Sequence, residues 1–172
     1  MFEIQNDLDQ IFKSLKPQQG MVEMTGNIPQ DLVYIKYLTE CDDNEITPDH
    51  QILGYDLAVK ENLYLTTHFR LLSEQVWMIG RTGQGDEWFI DRKSLQILFY
   101  NHDLGEYKSK FDFKNMQIDF TQFLQFCMLM KDFEQRLELY TFIESSPEFI
   151  QFKQQIHSIH PDLVENYPFN FL

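Results

Sequence analysis

The residues with the clearest chemical potential are three closely spaced glycines followed by two acids. They lie in the segment IGRTGQGDEWFID, which covers residues 79–91. A Walker phosphate-binding loop needs GxxxxGK[ST], because its lysine contacts the terminal phosphates and its hydroxyl contacts magnesium. Gly80 and Gly85 have that spacing, but Asp86 and Glu87 stand where the lysine and the hydroxyl residue belong. Two carboxylates would repel phosphate, so we predict a glycine turn between two strands instead.

Two further groups of residues have the types, but not the spacing, of metal ligands. Residues 41–50, CDDNEITPDH, are rich in carboxylates but have no central glycine, which a calcium-binding EF-hand loop requires. We expect residues 42–49 to form a solvated polar loop. His157 and His160 lie three residues apart, and the last turn of a helix accounts for them better than a metal site does. We therefore expect no metal and no cofactor.

Catalysis would require an acid–base pair or a nucleophile. His102 is followed by Asp103, and either Asp103 or Asp86 could orient it in a small hydrolase. The chain has no nucleophile elbow, since no serine stands in a glycine turn between a strand and a helix. We therefore expect no catalytic residues, and a hydrolase is the third of our hypotheses.

The bulk composition is that of a folded acidic protein. The chain has 172 residues, of which 16 are phenylalanine and 8 tyrosine, and a disordered acidic chain would be poor in both. The formal net charge of −13 repels phosphate groups, so we expect neither a nucleic acid nor a membrane as partner. The same charge favours a basic protein as partner.

The cysteines and the first residues indicate a cytoplasmic protein. Cys41 and Cys127 lie in apolar surroundings and outside any CxxC or Cys/His motif, as is typical of buried free thiols in a reducing compartment. The N-terminal residues lack the basic and apolar regions of a signal peptide, and no apolar run approaches the roughly 18 residues of a membrane span.

Apolar periodicity and capping residues predict helices in the first and last parts of the chain. A single apolar face indicates one helix over residues 4–15. A second is expected over residues 29–40, with Asp31 in its first turn, where a negative charge is favourable. Asp119, followed three residues later by Gln122, predicts a capping box at the start of a long apolar helix.

The middle of the chain has the pattern of strands. Residues 76–80, 87–91 and 95–100 are closely spaced, nearly continuous apolar runs, as in strands covered on both faces. Residues 52–59 are expected to form another strand, with a helical turn over 56–63 as the alternative. Helices, then strands, then helices indicate an α+β fold.

The last part of the chain is predicted to be a helical extension over residues 136–172. Ser146 followed by Pro147 indicates a helix start, and His160 before a proline indicates its end. The aromatic tail over residues 166–172 is expected to dock on the body of the protein or to form a homodimer.

Several of these motifs, taken in order, resemble the SUKH superfamily, which includes Smi/Knr-type cell-wall regulators and bacterial immunity proteins. The resemblance covers residues 5–135. Besides the first helix, its motifs are IPQDL at 28–32, GRTGQGD at 80–86, WFID at 88–91, LQILFY at 95–100 and FTQFL at 120–124.

The resemblance implies a bent, mostly antiparallel sheet covered by helices, and no catalytic residues. Bacterial members of the superfamily neutralise toxins, many of them nucleases, by direct binding. The resemblance therefore implies an immunity protein that binds a basic toxin domain. The alternative is a regulatory or scaffold adaptor of the same fold that acts through partner binding or self-association.

We expect exposed acids near the ends of loops to bind the partner, by pairing with its lysines and arginines. The seven candidates are Asp42, Asp43, Glu45, Asp86, Glu87, Asp103 and Glu106. For Asp86 there is a second interpretation, in which its carboxylate holds the turn by accepting hydrogen bonds from nearby backbone N–H groups.

Overall fold

A computed structural model describes residues 1–137 and 145–169 and shows an α+β fold. The helices in these ranges are α1 (Leu8–Ser14), α2 (Leu32–Glu40), α3 (Tyr55–His68), α4 (Arg70–Ser73), α5 (Phe120–Leu137), α6 (Pro147–Ile159) and α7 (Leu163–Asn166). The strands are β1 (Asn44–Thr47), β2 (His50–Ile52), β3 (Val76–Arg81), β4 (Glu87–Asp91), β5 (Ile97–Tyr100) and β6 (Lys114–Asn115). Short 3₁₀ turns at His102–Leu104 and Lys110–Asp112 connect β5 to β6.

The six strands form one antiparallel sheet in the order of the sequence. The strands expected over residues 76–80, 87–91 and 95–100 are confirmed as β3, β4 and β5. The glycine segment is the loop of the β3–β4 hairpin, as predicted. Gly85 has a φ of 101° there, a left-handed conformation that glycine adopts without steric cost.

The central strands are covered on both faces because successive side chains of a strand point in opposite directions. The Trp88 ring lies 5.1 Å from the Phe123 ring of α5. The neighbouring Phe89 points to the other face, where its ring lies 4.9 Å from that of Phe113. Both residues are buried. The continuous apolar runs of β3, β4 and β5 are therefore the consequence of two covered faces.

Two helix starts differ in how closely the sequence predicted them. Asp31 is the N-cap of α2, one residue outside its first turn, and its carboxylate accepts hydrogen bonds from the N–H groups of Val33 and Tyr34, both at 2.9 Å. The capping box of α5 is confirmed. The Asp119 N–H donates to Gln122 Oε1 at 3.1 Å, and the Gln122 N–H donates to Asp119 Oδ1 at 2.8 Å.

Two predicted elements are wrong. Residues 52–59 do not form one strand, because α3 begins at Tyr55, as in the helical alternative. The buried face of α3 is formed by Ala58, Asn62 and Leu65, and the polar Asn62 breaks the apolar pattern of that face. Residues 42–49 are not a loop, since they contain β1 and its turn to β2.

The C-terminal helices pack on the rest of the protein. Ser146 caps α6 as predicted, and His160 follows its last turn. The ring of Phe152 in α6 stacks on that of Phe133 in α5, with centroids 4.1 Å apart. These contacts attach α6 to the helix that covers the central strands.

The aromatic tail docks on the body of the protein as far as the structure describes it. Tyr167 is buried, and its ring lies 5.0 Å from that of Phe126 in α5. Residues 138–144 of the predicted extension and 170–172 of the predicted tail lie outside the described residues.

Both cysteines are free and buried. Burial raises the pKa of Cys41 to about 12 and also raises the pKa of Cys127, so both are held as thiols. No helix in residues 1–137 and 145–169 combines the length and the apolar character that crossing a membrane requires.

Candidate functional site

The structure divides the seven predicted binding acids into two groups on different parts of the sheet. The first group lies around β1 and consists of Asp42, Asp43 and Glu45. The second group lies at the β3–β4 loop and in the segment after β5 and consists of Asp86, Glu87, Asp103 and Glu106.

The first group is largely engaged within the chain. Asp42 forms an ion pair with Lys16, whose hydrogen bond lowers the pKa of the Asp42 carboxyl. Asp43 Oδ1 accepts a hydrogen bond from the Gly54 N–H at 2.7 Å, just before α3. Glu45 is exposed. Two of the three carboxylates therefore hold the chain together locally, which leaves Glu45 for a partner.

Asp86 is not the exposed acid that the sequence predicted, because its residue is only 4% exposed. Its Oδ1 accepts a hydrogen bond from the His102 N–H at 3.1 Å and lies 2.7 Å from His102 Nδ1. The Thr82 hydroxyl, in the same hairpin loop, donates to Asp86 Oδ2 at 3.3 Å. The carboxylate thus accepts a backbone N–H, as in our second interpretation, but from the loop after β5.

His102 is held between two carboxylates. Since an ionised carboxylate only accepts, His102 Nδ1 donates to Asp86, and this bond raises the pKa of His102. His102 Nε2 lies 3.4 Å from Asp103 Oδ1. In the described ranges, no serine, threonine or cysteine side chain forms a hydrogen bond with His102 Nε2. The arrangement stabilises an imidazolium and joins two loops, but it supplies no activated nucleophile.

Beside this pair lies a groove of about 360 Å³ between the end of α3 and the segment after β5. We call it the acidic groove. The lining residues that matter for its chemistry are Tyr64, Phe69, Glu87, Tyr100, Glu106 and Tyr107.

Strand register places two of these side chains side by side. Glu87 of β4 pairs with Tyr100 of β5. Glu87 also points to the same face of the sheet as Phe89, because residues two apart in a strand share a face. That face is covered by Tyr107, whose ring lies 4.8 Å from that of Tyr100 and 4.9 Å from that of Phe69. The walls of the groove are therefore packed aromatic rings.

Glu87 is the partly buried carboxylate of the groove. Burial raises the pKa of Glu87, and the nearby Glu61 carboxylate raises it further. The hydrogen bond that the Tyr107 hydroxyl donates to Glu87 lowers this pKa and so opposes the rise. Burial likewise raises the pKa of Tyr107, so its hydroxyl keeps the proton that it donates.

The carboxylates of the groove have no lysine or arginine partner in the chain as described. Within residues 1–137 and 145–169, neither Glu87, Asp103 nor Glu106 forms an ion pair with a lysine or an arginine. His102 lines the same groove, lies 3.4 Å from Asp103 and is positively charged only when protonated. Partly desolvated carboxylates beside aromatic rings attract a positively charged group.

Other kinds of site have little support. In the part of the chain that the structure describes, no group of three His, Cys, Asp or Glu side chains could hold a metal ion. No protein-family model, no curated protein and no solved structure matches this chain.

Proposed function

We propose that this chain is a non-enzymatic protein-binding module of the SUKH type, most specifically an immunity protein that neutralises a toxin by binding it directly. The partner is a basic toxin domain, such as a nuclease, and both proteins meet in the cytoplasm. The observation that carries the proposal is the acidic groove, where Glu87 and Glu106 lie together without a lysine or arginine of the described residues paired to them.

The charge of the whole protein supports the same partner. A formal net charge of −13 accelerates the encounter with a basic surface, and this acceleration weakens as salt screens the charges. Nuclease active sites bind phosphate groups and are accordingly basic. An acidic protein that covers such a site would both bind tightly and exclude the nucleic acid.

One observation favours a small hydrolase, the third of our hypotheses. His102 contacts the two carboxylates of Asp86 and Asp103 at the rim of a groove. In the described ranges, however, no serine, threonine or cysteine side chain is hydrogen-bonded to Nε2, the ring nitrogen that would take the proton of a nucleophile. This geometry supports binding better than catalysis.

Co-expression tests the proposed function. The chain would be produced together with the product of the gene immediately upstream of its own, and growth and complex formation would be scored. We expect the upstream product to arrest growth alone, and the pair to grow and to elute as one complex from a size-exclusion column. Growth arrest that persists, together with separate elution, would contradict the proposal. A regulatory adaptor of the same fold would instead bind a non-toxic partner or itself.

A further inference from the structure

We infer that the acidic groove receives a single arginine side chain of the partner protein, with the guanidinium on the Glu87 carboxylate and against the ring of Tyr64. The inference rests on the proposed function, because it names the chemical group of the partner that the same site recognises. Four features of the groove lead to it: its size, its free acceptor positions, its aromatic walls and its excess of negative charge.

The size of the groove fits one long side chain. Cavities that enclose small-molecule ligands usually measure about 300–1,000 Å³. At about 360 Å³ the groove is at the lower end of that range, and its lining includes the exposed residues Tyr64 and Glu106. A side chain that enters from outside, with its backbone at the rim, occupies such a space better than a nucleotide-sized cofactor would.

Glu87 has acceptor positions left for a cation. An ionised carboxylate offers about four lone-pair positions on two oxygens. In Glu87, the Tyr107 hydroxyl donates to Oε2, and Oε1 accepts no hydrogen bond from the described residues. The Tyr107 bond also fixes the orientation of the carboxylate. An oriented carboxylate with a free oxygen matches the planar fork of a guanidinium.

The aromatic walls favour arginine over lysine. The ring of Tyr64 is stacked on that of His68 at 4.1 Å, and the side chain remains exposed, so the ring stays available at the mouth of the groove. A guanidinium stacks flat on such a ring while it donates to a carboxylate at its edge, whereas an ammonium is a strongly hydrated point charge.

The charge of the groove favours a cation from outside the described part of the chain. Glu87 and Glu106 both line it, and Glu61 lies close enough to raise the pKa of Glu87. His102, which also lines the groove, is already shared between Asp86 and Asp103. The Tyr107 hydrogen bond and His102 offset part of the Glu87 charge, and an incoming guanidinium would add the ion pair that the described lysines and arginines do not form with it.

A peptide titration tests the inference on the full chain. A capped glycine–arginine–glycine tripeptide would be added to the ¹⁵N-labelled protein, and amide shifts would be followed by NMR. We expect saturable shifts confined to residues 85–87, 100–107 and the end of α3. The same tripeptide with citrulline, which keeps the shape and loses the charge, should bind at least about tenfold more weakly, since hydrogen bonds to charged groups contribute about 1.5–3 kcal/mol.

Two glutamates provide a matched pair of variants. Glu87→Gln removes the charge but keeps an acceptor for Tyr107, so the protein should stay folded, and we expect about a tenfold loss of arginine-peptide affinity. Glu3→Gln removes an exposed glutamate outside the predicted binding acids and should change the affinity by less than about twofold, because exposed single charges contribute little. Equal binding of the arginine and citrulline peptides, equal binding of a lysine peptide, or no loss in Glu87→Gln would each overturn the inference.

Failure of the inference can be distinguished from failure of the proposed function. If the wild-type chain protects cells and forms a complex, and Glu87→Gln leaves the affinity of that complex unchanged, the arginine site is wrong and the immunity function stands. If the wild-type chain neither protects nor forms a complex, the proposed function fails whatever the peptide does.

Discussion

The buried histidine of β2 should make this protein sensitive to mild acid. His50 is fully buried, and its ring stacks on that of Trp88 with centroids 5.6 Å apart. Its Nδ1 lies 2.8 Å from the Thr47 hydroxyl, and its Nε2 has no hydrogen-bond partner among the described residues. Burial lowers the pKa of His50 to about 3. The folded protein therefore holds this histidine neutral.

The size of the effect follows from the two pKa values of His50. In the unfolded chain the imidazole takes up a proton near its ordinary pKa of 6.5, whereas the folded state does so only near 3. The stability contributed by a neutral His50 is thus complete above pH 6.5 and decreases as the pH falls towards 3, by about 1.4 kcal/mol per pH unit. Between pH 7.5 and pH 5.0, the free energy of unfolding should fall by about 2 kcal/mol on this account alone.

Titrating carboxylates also change how the free energy of unfolding of the wild type depends on pH, but they do not affect the comparison between variants. Asp42, whose pKa is lowered, loses its contribution only as the pH falls below 3.8, outside this window. Glu87, whose pKa is raised, acts in the opposite direction, since the folded state keeps its proton to higher pH. The effect of His50 is therefore read from the difference between the wild type and a variant without an ionisable group there.

Urea unfolding at pH 7.5 and pH 5.0 measures that difference. The variant His50→Phe keeps an aromatic ring in the stack. The wild type should lose about 2 kcal/mol of unfolding free energy between the two pH values because of His50, and the variant should not show this loss. The control His157→Phe replaces an exposed histidine and should keep the wild-type loss. The reasoning is refuted if His50→Phe loses as much stability between the two pH values as the wild type does.

Three further perturbations test the fold and the groove. Asn62→Ala should lower the free energy of unfolding by about 2–4 kcal/mol in urea, because the Asn62 side chain bonds both the N–H and the C=O of Met78, each at 2.8 Å, and both would lose their partner. Gly80→Ala should cost about 1–3 kcal/mol, since the added Cβ would stand 2.6 Å from the Gln51 carbonyl oxygen and separate β2 from β3. The affinity for the arginine peptide, measured by NMR titration, should rise as the pH increases through the raised pKa of His102, because His102 then loses its positive charge at the rim of the groove. The variant His102→Asn should show a smaller rise.

Each of these has a matched control. For Gly80, the control is Gly83→Ala, whose added Cβ would lie at an ordinary 3.6 Å from the Pro48 carbonyl oxygen, so equal losses in the two variants would contradict the steric argument. For Asn62, the exposed Thr67→Ala in the same helix should change stability little. For His102, the control is His160→Asn, at the residue that follows α6 and outside the groove lining. A pH dependence that is the same in both histidine variants would contradict the assignment.

Local signals in the sequence predicted the parts of the fold that depend on neighbours in the chain. The strands β3 to β5 follow from long apolar runs, and the starts of α5 and α6 follow from Asp119 and Ser146, which cap the residues just after them. The helix α3 was predicted only as an alternative to a strand, because its buried face includes Asn62, whose bonds go to β3 sixteen positions away. The β1–β2 hairpin was hidden because Glu45 lies on the exposed side of a short strand.

The acidic groove could be predicted only in part. Sequence reasoning found Glu87 and Glu106 from their charge and their position near loop ends. It could not find the aromatic walls, because Tyr64 approaches Glu87 only once α3 is packed on the sheet, and Tyr107 only once the segment after β5 is folded against it. The burial of Asp86 depends likewise on a histidine of the next loop, so the charge alone wrongly indicated exposure.

The central claim is that a basic protein partner binds at the acidic groove, and a hydrogen–deuterium exchange map of the complex tests it most directly. Backbone amides would be compared in the free protein and in the complex isolated from co-expression. The account predicts slower exchange on binding at residues 85–87 and 101–107, with the surface of α6 unchanged. Protection confined to α6 and α7, with the groove unchanged, would contradict it.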